Sequence, residues 1–361
     1  MKKIRNGFLV LASIMLVACN ETQPTDDGLN KKNEMVPQGI SVVNGILCFD
    51  TEQNCNYALN FLEMEQSYRE NNFLSKCGNL TVEGYEEAEA LTGYSENEVY
   101  EEFEHTYGFN SLRKKIHEEE TMWLETLGAE EPDPAEDPDN HFVFDIGMRT
   151  ILNEYCEIKI GDHFYKFFKG GYIDILDGDY EKLLVLRNNI DAAMDMDNIN
   201  IVGNSIEESY GRSLPPCNGS EYDVFYKSGS GFRIKCKVGI GYRLFHRYTY
   251  AKTINYKRTG NNVDKWKRVR GNTTCRVWGD VSAIERVNDT TYVAECDLPE
   301  TFNTETGYFS DSYGKKEWEH KFGVTTRTKT GWVKGYHQTF FNTNTGTVDL
   351  INTTILEWVS L

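Results

Sequence analysis

Several common chemistries are missing from the 361 residues. No Cys-x-x-Cys pair occurs, and no two histidines sit at helical spacing, which excludes the familiar zinc sites. There is no Gly-x-Ser-x-Gly elbow and no glycine-rich phosphate loop, so neither serine-hydrolase nor nucleotide chemistry is signalled. Basic residues are in deficit, 38 Lys and Arg against 56 Asp and Glu. The net charge of -18 speaks against a nucleic-acid partner, since phosphate binding needs clustered cations. The one long apolar run, Phe8 to Ala18, is shorter than the roughly 20 residues of a comfortable membrane span.

That run is informative for another reason. Lys2, Lys3 and Arg5 precede it, and Leu16-Val17-Ala18-Cys19 closes it, which is the layout of a secretory signal. The closing tetrapeptide looks like the lipobox of bacterial lipoproteins. The resemblance implies cleavage after residue 18, lipidation of Cys19 and a membrane partner reached through that anchor. The expected address is the outer membrane, facing the surface or the periplasm. Residues 19–39 are polar and read as a flexible tether.

Export permits disulfides, and eight cysteines remain after Cys19. At least one bridge is expected among Cys217, Cys236, Cys275 and Cys296. Length allows two or more domains, and the pattern changes along the chain. Residues 40–214 read as α+β. Ile40 to Phe49 is strand-like around an Asn44-Gly45 turn, and a helix starts near Asp50 and Gln53 with Tyr57, Phe61, Met64 and Tyr68 as its buried face. Ser95 with Glu98 and then Ser111 are further helix starts; Leu112, Ile116, Trp123 and Leu127 share a face, closed by Gly128. Glu130 to Asp139 is proline- and carboxylate-rich and reads as an exposed linker. Gly161-Asp162 marks a hairpin, a strand follows at Tyr172 to Leu176, and a short helix begins at Tyr180.

A boundary is expected near Pro215 to Gly219, and residues 220–361 read as an antiparallel all-β sandwich of short strands. Phe232-Arg233-Ile234-Lys235-Cys236-Lys237-Val238 alternates apolar with basic residues. The charge is divided as well. Carboxylates dominate Glu83 to Asp139, while Lys and Arg dominate Lys227 to Arg286. Two halves of opposite sign are expected to attract each other through exposed charges worth about 0–1 kcal/mol per pair.

Four short motifs carry a resemblance: Asn44-Gly45-Ile46-Leu47, Gly108-Phe109-Asn110-Ser111-Leu112-Arg113, Leu152-Asn153-Glu154, and Ile158 through Lys166. In this order they are similar to uncharacterised outer-surface lipoproteins of Bacteroidota, over roughly Val43 to Ile175. That resemblance implies an α+β region at the cell envelope and carries over no catalytic residue. The turn after Leu152 departs from the group in lacking a glycine. Glu21, Asp26 and Asp27 match only loosely the acidic residues that accompany surface export there. Asp289-Thr290-Thr291 resembles an O-glycosylation site of the same phylum.

Candidate ligand chemistry rests on few residues. Trp266, Trp278, Trp318 and Trp332, with Tyr242, Tyr248 and Tyr250, offer flat rings on which sugars could stack, though aromatic residues also suit a half-buried sheet. Asp174, Asp177 and Asp179 surround a glycine and form a weak metal candidate, for which a plain turn is the simpler account. No cofactor is implied. The expected function is a non-catalytic binding or accessory module for a glycan or protein ligand. The alternatives are a carboxylate-dependent glycan hydrolase and a purely structural envelope protein.

Overall fold

Local chemistry sets the first elements. Asn44 and Gly45 both adopt positive φ, the requirement of a tight hairpin turn, and join β1 (Ile40–Val43) to β2 (Ile46–Phe49). The computed structural model describes residues 37–361 apart from 129, 143, 169–170, 204–221, 260–264, 288–289, 320–323 and 359–361. Side chains are described for the same residues except 240, 242, 246–247, 280–299, 310–331 and 356–358. Cys19, the 19–39 tether up to residue 36, Cys217, the Pro215 to Gly219 boundary and Asp289 therefore lie outside the described residues. So do the side chains of Cys296 and Trp318.

Four helices follow: α1 (Glu52–Cys77), α2 (Val82–Thr92), α3 (Glu98–Tyr107) and α4 (Leu112–Thr126). Thr51, Thr81 and Ser111 cap three of them by accepting a backbone N–H near the helix start. Helix α3 begins after Asn97 with no side-chain cap. After a 3-10 turn (Pro138–His141) comes α5 (Ile146–Ile151), capped by Asp145. Strands β3 (Glu157–Ile160), β4 (His163–Phe168) and β5 (Gly171–Ile175) meander around the Gly161 turn, then α6 (Tyr180–Asn188) leads to β6 (Ile199–Gly203). The six strands pair in sequence order, and only β2 with β3 runs parallel.

This sheet is buried on both faces. Leu47, Phe49, Ile158, Phe167 and Tyr172 face a core shared with Leu59, Leu62, Phe103, Leu112 and Met148 of the helices. Ile46, Phe164, Ile173 and Ile175 face Leu183 and Leu186 of α6. Helix α1 corrects the expected face. Cys55, Ala58, Leu59 and Leu62 are buried and Phe61 packs beside them as expected, while Tyr57, Met64 and Tyr68 are exposed, Tyr68 to 67 %. Apolar residues surround this helix, so its pattern defines no unique stripe; the compact aliphatic side fits closest to the sheet.

The remaining strands are longer than the sequence suggests. They are β7 (Tyr222–Gly229), β8 (Phe232–Arg243), β9 (His246–Thr259), β10 (Lys265–Arg268), β11 (Gly271–Val287), β12 (Thr290–Gly307), β13 (Phe309–Glu319), β14 (Val324–Thr343) and β15 (Gly346–Trp358). One sheet has the order β10-β9-β8-β7 with β13 also on β9, and the other β12-β11-β14-β15; all pairs are antiparallel. The fold is α+β with an antiparallel sandwich, as the sequence indicates.

The β-rich part does not stand apart from the helices, and Pro37–Leu361 is one compact unit. The β8–β9 hairpin tip inserts Leu244 into the helical core, where its N–H meets Met148 Sδ at 3.2 Å. Leu244 holds a positive φ, a conformation that costs a branched residue energy and is retained here by complete burial. Phe245 packs its ring 5.1 Å from both Tyr165 and Tyr172.

Candidate functional site

The acidic and basic segments meet, and they do so in the interior. Along β8, Ile234, Cys236 and Val238 point into the sandwich while Arg233, Lys235 and Lys237 point at the helical layer; all six are buried. Lys235 Nζ donates to Asp137 and Asp139 at 2.7 Å each, and Tyr226 donates to Asp137 at 2.6 Å. Arg149 pairs with the other oxygen of Asp139. Burial acts to raise the Asp139 carboxyl, but Lys235 and Arg149 outweigh it and hold the group well below its usual range. The expected exposed linker is thus corrected at its C-terminal end. Asp137 and Asp139 are buried because the buried Lys235 needs counter-charges, and Asn140 is buried beside them with its amide donating to Pro134 O at 2.9 Å.

Further along the same interface, Arg268 pairs with Glu120 at 2.7 Å and Lys257 with Glu83 at 3.0 Å. Arg270 pairs with Glu70 and Glu89 inside a ring of Phe73, Tyr94, Tyr308 and Tyr85, with the guanidinium 4.8 Å from the Tyr308 centroid. These pairs are partly or wholly desolvated, unlike the exposed contacts expected. The quoted motifs serve the same scaffold. Ser111 and Arg113 both bind Glu104, and Asn153 binds Glu157, itself held by Arg187 and Lys166.

Between α1 and the sandwich lies a cleft of about 680 Å³. Asn56, Asn60, Glu63, Ser67, Glu70 and Asn71 recur at helical spacing and form its α1 wall. Asp145 and Ile146 at the start of α5 contribute from one end, and Tyr100 from α3. Arg243 and Tyr248 flank the β8–β9 tip, and Glu305 through Phe309 come from the β12–β13 turn. The turn is fixed because Tyr308 donates to Glu89 and stacks on Arg270. Two of the acids are already engaged: Glu63 by Arg243 at 3.0 Å, Glu70 by Arg270 and Tyr94. Asp145 accepts the Met148 N–H at 2.7 Å, and burial pushes its carboxyl up. The buried Oε1 of Gln66 has no hydrogen-bond partner among the described residues.

Of these cleft residues the sequence singled out Tyr248, as a stacking platform. The others had one legible signal, the amide-rich stripe on α1, which looks the same as a solvated helix face. The tryptophans divide. Trp266 is a core residue, its Nε1 donating to Gly128 O at 3.1 Å and its face stacked under Arg233, which corrects its assignment as a ligand platform. Trp278 and Trp332 lie on the outward face of β11 and β14, where their register partners are Lys334 and Asp280. Lys334 Nζ stands 5.6 Å from the Trp278 ring. Phe302, 71 % exposed, and Ile351 and Ile355 extend this flat surface.

The proposed metal trio is not assembled. Asp174 pairs with His163 at 2.9 Å, Asp177 with Lys182, and Asp179 caps α6 through the Glu181 N–H. Each carboxylate is spent on its own neighbour, which corrects the cation reading. Among the described residues no cluster of three metal-ligating side chains occurs. Cys236 and Cys275 are buried and not disulfide-bonded, which corrects their expectation, with Cys217 and Cys296, as bridge candidates. They serve as small side chains of the sandwich interior, with Cys275 Sγ 3.8 Å from His337 Nδ1. Cys156, one of the eight cysteines open to bridging but outside the four favoured candidates, is disulfide-bonded.

No family model matches the sequence, and no curated protein matches it. Among solved structures the chain is similar to a DUF4848 family protein from Bacteroides thetaiotaomicron, at 12 % identity. The match covers 87 % of this chain and 100 % of that one, with a TM-score of 0.21. At that score the likeness bears on neither fold nor function. Among the described residues no helix is long and apolar enough to cross a membrane.

Proposed function

We propose that this protein is a lipid-anchored, non-catalytic binding module of the outer membrane whose cleft takes a glycan. The observation that carries the reading is the cleft lining, in which the amides and hydroxyl of α1 share the cleft with the rings of Tyr100, Tyr248 and Phe309 from other elements. Side-chain amides exchange donors and acceptors with sugar hydroxyls, and aromatic faces cover their C–H surfaces. The prior engagement of Glu63 and Glu70 by arginines supports binding over acid–base chemistry, because carboxylates held by guanidinium groups are not free to flank a glycosidic bond. The lipobox supports the anchor.

The flat face around Trp278, Trp332 and Phe302 supports a second reading, in which the sandwich exterior docks a partner. One assay separates them. Full-length protein in detergent is screened on a glycan array, then as Asn60→Ala with Tyr248→Ala and as Phe302→Ala with Trp332→Ala. The cleft reading expects retention that only the first pair abolishes. Loss with the second pair alone, or no retention by wild type, would overturn it.

A further inference from the structure

Cations and aromatic rings alternate on the outward face of the β12-β11-β14-β15 sheet. Arg276 and Trp278 stand two residues apart on β11, and Tyr336 and Lys334 are their register partners on β14. The four form a square in which each cation neighbours a ring. The Arg276 guanidinium lies 5.3 Å from the Tyr336 centroid and 6.0 Å from that of Phe302 on β12, and Lys334 Nζ lies 5.6 Å from that of Trp278. Phe302, Trp332, Phe340, Ile351 and Ile355 surround the square and are exposed. A contiguous apolar face of this kind marks an interaction surface. Its charge is balanced among the described side chains: Glu300 pairs with Arg276 at 3.2 Å, and Asp349, held by Gln338 at 3.1 Å, offsets Lys334. A chain of net charge -18 therefore carries here a locally neutral face, where like charge does not oppose a second copy.

We propose that this face is the interface of a homodimer, in which two copies pack sheet against sheet about a two-fold axis. The square is self-complementary. A two-fold axis lying in the interface, whether along the strands or across them, sets every cation of one copy against a ring of the other. Arg276 then meets Tyr336 or Trp278 of the second copy, and Lys334 meets the remaining ring. An isologous contact requires this reciprocity, and an unrelated ligand does not. At ordinary sheet spacings, four strands and about eight residues span about 20 Å by 27 Å, or roughly 500 Å² per copy. The two faces together bury about 1,000 Å², the lower end for a specific interface, so a dissociation constant in the micromolar range is expected. The proposal concerns the flat face and is independent of the cleft reading.

Sedimentation equilibrium of the full-length protein, in density-matched detergent with micelles in excess, tests this from about 1 to 200 μM. Wild type is expected to pass from monomer to dimer within that range. Arg276→Glu sets a carboxylate against the negative face of a ring and should weaken the dimer at least about tenfold. Phe302→Ala with Trp332→Ala should weaken it comparably. Leu91→Glu alters an exposed apolar residue on α2 and should change nothing. Circular dichroism checks that each variant is folded, and Arg276→Gln, expected between wild type and Arg276→Glu, serves if charge reversal unfolds the protein. Wild type that stays monomeric throughout overturns the proposal and leaves glycan binding in the cleft untouched. So does a dimer that survives both face variants or is weakened equally by Leu91→Glu. Monomeric wild type whose retention on a glycan array is lost with Phe302→Ala and Trp332→Ala would assign the face to a sugar instead.

Discussion

The two faces of the β8–β9 ribbon bury polar groups in opposite ways. Toward the helices the polar groups are charged: Arg233 meets Glu130 O and Lys235 meets Asp137 and Asp139, and on neighbouring β10 Arg268 meets Glu120. Toward the second sheet they are neutral. Thr253 on β9 bonds His337 Nδ1 at 2.9 Å, and Asn255 bonds Thr273 at 2.8 Å and Thr339 at 2.9 Å. Burial alone pulls His337 down to about 3, so it stays an uncharged hydrogen-bonding group. The charged face joins a sheet to helices and a loop about 100 residues away in sequence, whereas the neutral one joins two sheets whose own strand pairing sets the spacing of the facing side chains. Charges give the first interface specificity at high desolvation cost, and hydroxyls and amides give the second a uniform sheet spacing at low cost.

The sharpest way to break this comparison is to remove one charge. Lys235→Met leaves Asp137 and Asp139 buried without their lysine, and urea denaturation should show a loss of about 3–5 kcal/mol. Adding Asp137→Asn and Asp139→Asn should restore much of that loss. A single variant within about 1 kcal/mol of wild type would show that the cluster is hydrated in solution.

Lys237 separates the faces by pH. Burial lowers its pKa from 10.5 to about 7 despite the attraction of Asp139. Between those values the unfolded chain holds a proton that the folded chain has released, so this residue's contribution to stability rises with pH across the window. Below about 7 both states are protonated and its full penalty applies. Lys237→Met should therefore stabilise the protein by a few kcal/mol at neutral pH, and thermal melts from pH 7 to 10 should show a flatter profile than wild type. Parallel profiles would place Lys237 in contact with water.

The neutral face should yield the smallest change. Thr339→Val keeps the shape and strands the Asn255 oxygen, which should cost about 1–3 kcal/mol with no dependence on salt. A loss as large as that of Lys235→Met would erase the distinction between the two interfaces.

What was legible in the sequence was local. Asn44-Gly45 and Gly161 close hairpins because their backbones tolerate positive φ, and Ser111 caps a helix because its hydroxyl reaches the Lys114 N–H at 3.0 Å. Alternation along β8 correctly marked a strand with two unlike faces. The same alternation did not say that the basic face is buried, because that depends on a partner about 100 residues away. For this reason Glu130 to Asp139 read as an exposed linker. The cleft was illegible for a related cause: Asn60, Asp145, Arg243 and Tyr308 come from four elements, and each looks ordinary alone.

The sequence by itself determined where this chain turns, where its helices start, which strands alternate and how its charge is divided. Those properties follow from steric and hydrogen-bonding preferences that act within a few residues. Only the tertiary structure decided which side of α1 faces the core, that Trp266 is buried while Trp332 is exposed, and that acids and bases meet away from water. Burial depends on what packs opposite, and desolvation then sets whether a charge is paired, neutralised or left facing a cleft.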